Sequence, residues 1–165
     1  MTAYILLSVF ESFGLVVFIL GLQGLAFLPL TLAYELWKMR TLRRAPAFSG
    51  MVSVIIPAYN EERSIRATIE SVLASDYALM EVIVVNDGST DGTAGAVAAF
   101  AEQGRIRYRN KANGGKASAL NAGIREARGE VVIFTDADSV FLPDTVSKMA
   151  RWFGDARIDA VGGNE

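Results

Sequence analysis

Between residues 51 and 165 the apolar pattern changes period repeatedly, from short continuous runs to stripes at helical spacing and back. That alternation constrains the chain more than any other feature does. Val52 to Ile56 is apolar except for Ser53 and is stopped by Pro57, as expected of a strand buried on both faces of a parallel sheet. Ile65, Ile69, Val72 and Leu73 then recur at helical spacing, which predicts a helix over residues 61–74. Glu81 to Val85 is a second buried strand, and Asp91 is placed to cap an alanine-rich helix running through Phe100. Arg105 to Arg109 alternates strictly, with arginines on one face, as suits a short edge strand whose charge discourages further pairing. Ala117, Leu120, Ile124 and Ala127 predict a third helix, Val131 to Phe134 a fourth strand, and Pro143 the first position of a fourth helix buried through Val146, Met149, Ala150 and Phe153. Ala160-Val161 is read as a last strand. The expectation is an α/β fold, an open and mostly parallel sheet with helices on both faces.

In such sheets ligands bind beyond the carboxyl ends of the strands. Four polar clusters fall there: Tyr59-Asn60-Glu61, Asp87-Gly88-Ser89-Thr90-Asp91, Asn113-Gly114-Gly115-Lys116 and Asp136-Ala137-Asp138. Each alone is ordinary turn chemistry. Their convergence on one sheet edge is the informative observation.

Asp136 and Asp138 leave a strand two positions apart, so an extended chain points them the same way. Two like charges there call for a cation, and hard oxygen ligands suit Mg²⁺ or Mn²⁺, which keep waters and accept phosphate oxygens. The competing account is a turn with a helix cap. Asp87 would suit hydrogen bonds from a base or ribose, or else an Asx-turn; Asp91 reads as a cap. Lys116 follows two glycines at a helix start, where anions are favoured, although an exposed lysine is equally ordinary there.

The chain contains no His and no Cys, which removes His-type zinc sites, thiolate chemistry and serine-histidine triads. A net charge of -2 argues against a nucleic-acid partner. The Walker A pattern fails because Ala117 follows Gly115-Lys116, and no strand-linked G-x-G-x-x-G occurs. A phosphatase-type D-x-D would follow the first strand, whereas Asp136 and Asp138 follow the fourth.

Hydrophobic residues make up 52% of the chain, and the excess lies at the front. Ser12 to Tyr34 carries no charged residue. At about 1.5 Å per helical residue, the run is long enough to cross a hydrocarbon core of about 30 Å. The expected organisation is an extracytoplasmic N-terminus at 1–11, a transmembrane helix at 12–37, a basic juxtamembrane linker at 38–50 and the α/β domain at 51–165. Lys38, Arg40, Arg43 and Arg44 follow the span and no Lys or Arg precedes it, so the positive-inside rule places the domain in the cytoplasm, at a cell (inner) membrane. The basic run would rest against membrane lipid.

Val54-Ile-Ile-Pro-Ala-Tyr-Asn-Glu61, Val85-Asn-Asp-Gly-Ser-Thr-Asp91, Gly115-Lys-Ala-Ser-Ala-Leu-Asn121 and Asp136-Ala-Asp138 together resemble, in order and spacing, the motifs of family 2 glycosyltransferases of the GT-A fold. The stretch around Lys116 and Asp138 looks most like membrane synthases of poly-N-acetylglucosamine, hyaluronan and cellulose. The resemblance implies that Pro57, Ala58, Tyr59 and Glu61 border the nucleotide of a UDP-sugar, that Asp87 reads the uracil, and that Lys116 approaches the diphosphate. It further implies that Asp136 faces the ribose or metal and Asp138 ligates the metal. The implied reaction is inverting transfer to a polysaccharide or glycolipid acceptor.

The family's general base, an aspartate in a later motif, has no counterpart before Glu165, and Arg151-Trp152 only partly echoes the Gln-x-x-Arg-Trp motif because Lys148 holds the glutamine position. The sheet is therefore expected to be incomplete at the C-terminus, with no catalytic base inside this sequence. A non-catalytic nucleotide-sugar-binding module and a transferase acting on a lipid phosphate are the rival expectations.

Overall fold

The computed structural model describes residues 13–14, 17–18, 21, 24–25, 27–40 and 47–162. The chain divides into two compact units, Met1–Ala45 and Pro46–Glu165. In the first, residues 27–40 form a helix on which Phe27, Leu28, Leu32 and Trp37 are exposed. No helix among the described residues is long and apolar enough to cross a membrane. Residues 12, 15–16, 19–20, 22–23 and 26 of the expected span at 12–37, all of the segment at 1–11, and Arg43 and Arg44 of the basic linker lie outside the described residues.

The second unit is an α/β layer structure. Its elements run β1 (Val52–Ala58), α1 (Ile65–Leu73), β2 (Met80–Asn86), α2 (Thr93–Glu102), β3 (Arg107–Asn110), α3 (Lys116–Glu126), β4 (Val131–Phe134) and α4 (Thr145–Ala150), then a 3₁₀ turn at Arg151–Gly154. All strand pairs are parallel, in the order β3-β2-β1-β4. The alternating faces of these strands feed two apolar layers. Val52, Val54, Ile56, Val82, Val84 and Ile133 pack with Ile65, Ile69 and Val72 of α1, Val97 and Phe100 of α2, and Val146 and Ala150 of α4. On the opposite face Ile55, Ile83 and Val85 meet only Ala119 and Ala122 of α3 as buried partners. That single helix lies over β1 and β2, so Phe134 at the end of β4 stays half exposed while Ile55, its ladder partner in β1, is buried.

Several boundaries differ from expectation for identifiable reasons. β1 runs through Pro57 to Ala58, because the ladder to β4 ends at Ile55 paired with Phe134. Ile55 offers its carbonyl to Thr135 on the β4 side, and Pro57, two residues on, turns its donor-less nitrogen to that same side, where pairing has stopped. The first helix begins at Ile65 after a turn at residues 62–64, and the Glu61 and Glu62 N–H groups before it donate to Thr93 Oγ1 and Asp91 Oδ2. Pro143 precedes the Asp144 cap of α4, and its carbonyl accepts from the Asp76 N–H. Ala160-Val161 forms no strand: among the described residues no strand lies in a ladder with this dipeptide. Arg107 and Arg109 on edge strand β3 form ion pairs with Glu126 of α3, while Arg105 lies before the strand with its guanidinium 5.5 Å from the Phe100 ring centroid.

Candidate functional site

Strand order reverses beside β1, where the chain runs outward through β2 and β3 and then returns to add β4 on the other side. At such a switch point the loops leaving adjacent strands diverge and leave a crevice. Here that crevice is a cleft of about 440 Å³. It is lined by Pro57, Ala58, Tyr59, Glu61, Asp87, Lys116, Asp136 and Asp138, together with Asn113, Gly115, Ala119 and Ala137. Every residue singled out in the sequence as a candidate site residue is thus brought to one place.

Side-chain bonds between loops hold the walls. Asn60 adopts a left-handed conformation, φ 57°, and its Oδ1 accepts the Thr90 N–H at 2.9 Å, while its own N–H donates to Ser89 Oγ at 3.0 Å. Glu62 and Asp91 reciprocate: the Glu62 N–H donates to Asp91, and Glu62 Oε2 accepts the Gly92 N–H at 2.8 Å. Asp91 also accepts the Thr93 N–H at 3.0 Å, the capping role expected of it, although Gly92 occupies the cap position itself. The loops after β1 and β2 are therefore one cross-linked wall.

The opposite wall is the turn after β4. Ala137 is buried at its centre, and its carbonyl accepts the Thr68 hydroxyl from α1 at 2.8 Å. With Ala137 pinned inward, Asp136 and Asp138 on either side are exposed and face the cleft. Lys116 Nζ stands 2.5 Å from Asp136 Oδ1, both side chains more than half exposed. No group of three acidic side chains converges among the described residues. The donor set is two hard carboxylates open to the cleft, which fits a small divalent cation that completes its shell with water and phosphate oxygens.

Asp87 lies at the base of the cleft with partners inside the protein. Its carboxylate is only 3% exposed and is bound by Lys111 Nζ, by the Gly114 N–H and by the Gly115 N–H, the last at 2.7 Å. Burial pushes this carboxyl up, but those donors outweigh burial and hold it below its ordinary value. The Gly114 and Gly115 N–H groups at the start of α3 thus serve Asp87. Lys111 and Thr68 were not singled out in the sequence. Their partners lie 24 and 69 positions away, and no local pattern marks either one.

A second groove of about 640 Å³ adjoins the cleft, shares Lys116 and Asp136 with it, and is walled by Leu120, Phe134, Val140, Leu142 and Met149.

Comparison with known proteins identifies the family. Residues 53–164 match the model of the family described as glycosyl transferase family 2. The chain is 36% identical over 115 residues to a poly-beta-1,6-N-acetyl-D-glucosamine synthase of Staphylococcus epidermidis, covering 68% of this chain and 28% of that protein. Among solved structures, a Pyrobaculum calidifontis mannosyltransferase in complex with GDP-Man and Mn²⁺ superposes with a TM-score of 0.60 at 32% identity, over 74% of this chain and 40% of that one. S. aureus TarS 1-349 in complex with UDP-GlcNAc superposes with a TM-score of 0.58 at 26% identity, over 70% of this chain and 37% of that one. The chain spans well under half the length of each of these proteins. With the family model matched across nearly all of the α/β unit, and with the cleft at its strand ends, the chain belongs to glycosyl transferase family 2.

Proposed function

We propose that the α/β unit binds the donor of an inverting, metal-dependent glycosyltransferase, taking a UDP-sugar for transfer to a growing β-linked polysaccharide such as poly-N-acetylglucosamine. The observation that carries this reading is the single cleft in which a lysine and two exposed aspartates face each other beyond the ends of parallel strands. Relatives and neighbours whose names include a poly-N-acetylglucosamine synthase and complexes with UDP-GlcNAc and Mn²⁺ support it.

In this reading Tyr59, about half exposed, and the Pro57-Ala58 strand end border the nucleoside, and Glu61 closes the same wall. Asp136 and Asp138 would hold Mg²⁺ or Mn²⁺. When bound, that cation supplies Lewis acidity toward the charge growing on the departing diphosphate. Lys116 adds a mobile ammonium to the same charge, strongest in the transition state because the bond from the anomeric carbon to the diphosphate oxygen is then breaking. Deprotonation of the acceptor hydroxyl is assigned to none of the residues in the cleft.

The test is calorimetry with UDP, UDP-N-acetylglucosamine and GDP-mannose, each with Mn²⁺, with Mg²⁺ and in chelator. UDP and its sugar should bind only with the metal. Binding of none of the three with either cation present would remove the donor-site reading, and preference for GDP-mannose would replace the base.

We also propose that residues 12–37 cross a cell membrane, leaving residues 1–11 outside and the domain in the cytoplasm. The uncharged run from Ser12 to Tyr34 and the basic residues that follow it support this topology. Protease added outside intact cells should leave the domain uncut; digestion there would reverse the orientation.

A further inference from the structure

We propose that Thr68 and Ser71 of α1 are positioning residues that hold the turn after β4 at its two ends, and so fix where Asp138 stands in the cleft. The proposal rests on the donor-site reading and adds to it two hydroxyl groups from a helix behind the cleft wall.

A threonine or serine inside a helix commonly turns its hydroxyl back to the carbonyl of the preceding turn. Thr68 does otherwise. Its Oγ1 lies 3.4 Å from the Ser64 carbonyl but 2.8 Å from that of Ala137, and the residue is only 1% exposed. The shorter bond runs to the turn. Ser71 uses both halves of its hydroxyl, donating to the Thr68 carbonyl at 2.8 Å and accepting the Phe141 N–H at 3.0 Å. An apolar contact accompanies each bond: Ala137 is buried in the layer that contains Ile65, Ile69 and Val72 of α1, and Phe141 packs against that layer.

The link from Thr68 to Asp138 runs through one peptide unit. The Ala137 carbonyl and the Asp138 nitrogen and Cα share a plane, so a bond that fixes the carbonyl also fixes where the Asp138 side chain departs. Residues 138–140 then lie between the two held points, and the Ser139 N–H closes the turn on the Asp136 carbonyl at 3.3 Å. A short segment held at both ends has little conformational freedom left. Asp136 is set differently, because the Thr135 N–H before it donates to the Ile55 carbonyl of the sheet at 3.2 Å. One aspartate is thus placed by the sheet and the other by α1. Ser64, Thr68 and Ser71 follow helical spacing, and Ser64 Oγ donates to Glu61 Oε2 at 2.6 Å, so the same stripe of hydroxyls also meets the wall after β1.

The experiment compares the full chain with three variants. Thr68→Val keeps the shape and loses the hydroxyl, Thr68→Ser keeps the hydroxyl and loses a buried methyl, and Ser71→Ala removes the acceptor of the Phe141 N–H. Calorimetry should show Mn²⁺-dependent UDP binding about tenfold weaker in Thr68→Val, the lower end of the cost of removing a group that orients a metal ligand. Ser71→Ala should weaken it by less, since its bond lies farther along the chain from Asp138. Thr68→Ser should bind as the wild type does although its urea midpoint falls, because a methyl has left a packed site. Affinity would then follow the hydroxyl and not the stability. Amide exchange at Phe141 gives a reading that needs no ligand: it should be about tenfold faster in Ser71→Ala and in Thr68→Val, while Val54 and Val84 in the sheet keep their protection. Wild-type affinity in Thr68→Val would overturn the proposal, as would an equal loss in Thr68→Ser, the mark of a merely structural role. Unchanged exchange at Phe141 in both variants would overturn it too. If the wild-type chain binds no UDP with either cation, the donor-site reading falls on its own, and the exchange at Phe141 decides whether α1 holds the turn.

Discussion

The two ends of the sheet carry the same residue types and use them in opposite ways. At the amino-terminal end, Glu81 of β2 accepts from Ser53 Oγ and the Arg128 N–H, each at 2.7 Å, and from Arg107 at 3.1 Å, with 11% of its side chain exposed. Arg107 in turn meets Glu126 of α3. At the carboxyl end Asp136 has Lys116 as an ion-pair partner, and both side chains are open to water. The first carboxylate is closed into a network joining β1, β2, β3 and the end of α3. The second keeps coordination capacity for something that is not protein. A surface pair of this kind contributes little to stability, so its ions can be exchanged for a ligand at small cost. Charge alone does not mark a site; a charge whose partners can be replaced does.

Removing a carboxylate from the open end has the largest expected effect. Asp138→Ala should weaken Mn²⁺-dependent UDP binding by about a hundredfold, the upper end of what disturbing a metal ligand's surroundings costs. The urea midpoint should stay nearly unchanged, because exposed substitutions shift stability by less than about 0.5 kcal/mol. Retained metal-dependent affinity would remove Asp138 from the ligand set.

The converse change lies at the closed end. Glu81→Ala leaves the Ser53 hydroxyl, the Arg128 N–H and part of the Arg107 guanidinium without their acceptor, a loss of about 2 kcal/mol by urea unfolding. UDP affinity should not move. A Glu81→Ala protein as stable as the wild type would break the contrast between the two ends.

The sequence made the open end more legible than the closed one. The cleft residues follow strands directly, so period and turn chemistry alone place Tyr59, Asp87, Lys116 and Asp136 on one edge. Glu81 was read only as the first residue of a buried strand, because its partners come from β1, β3 and the end of α3. The same limit hid Thr68, whose hydroxyl holds the Ala137 carbonyl across 69 positions. It also hid the use Asp87 makes of Lys111. Element ends depart from the local pattern where the neighbours decide: Pro57 stays within β1 because β4 has ended beside it, and the Glu61 N–H is taken by Thr93 in the turn before α1. Ala160-Val161 had the composition of a strand without a neighbour to pair with. Local pattern reports where a side chain starts; only the assembled fold reports what it reaches.

The smallest expected effect concerns acid. Burial pushes the Glu81 carboxyl up, but bonds from Ser53, Arg128 and Arg107 more than reverse this and leave it below its ordinary value. A carboxyl lowered by folding adds stability above its ordinary value, and that contribution drains away as pH falls through the lowered one. Glu81→Gln keeps the shape and some accepting capacity but cannot titrate. It should be about 1 kcal/mol less stable than the wild type at neutral pH, and the gap should narrow as pH falls below about 4.5, where unfolded chains begin to bind the proton. Urea midpoints in half-unit steps from neutral into acid measure this directly. Asp87 and Asp91 are lowered too, so both proteins weaken in acid, and only the difference between them isolates Glu81. A gap that stays constant across the range would mean that Glu81 acts through shape and not through charge, and the closed end would then owe its stability to packing around the network rather than to the ions in it.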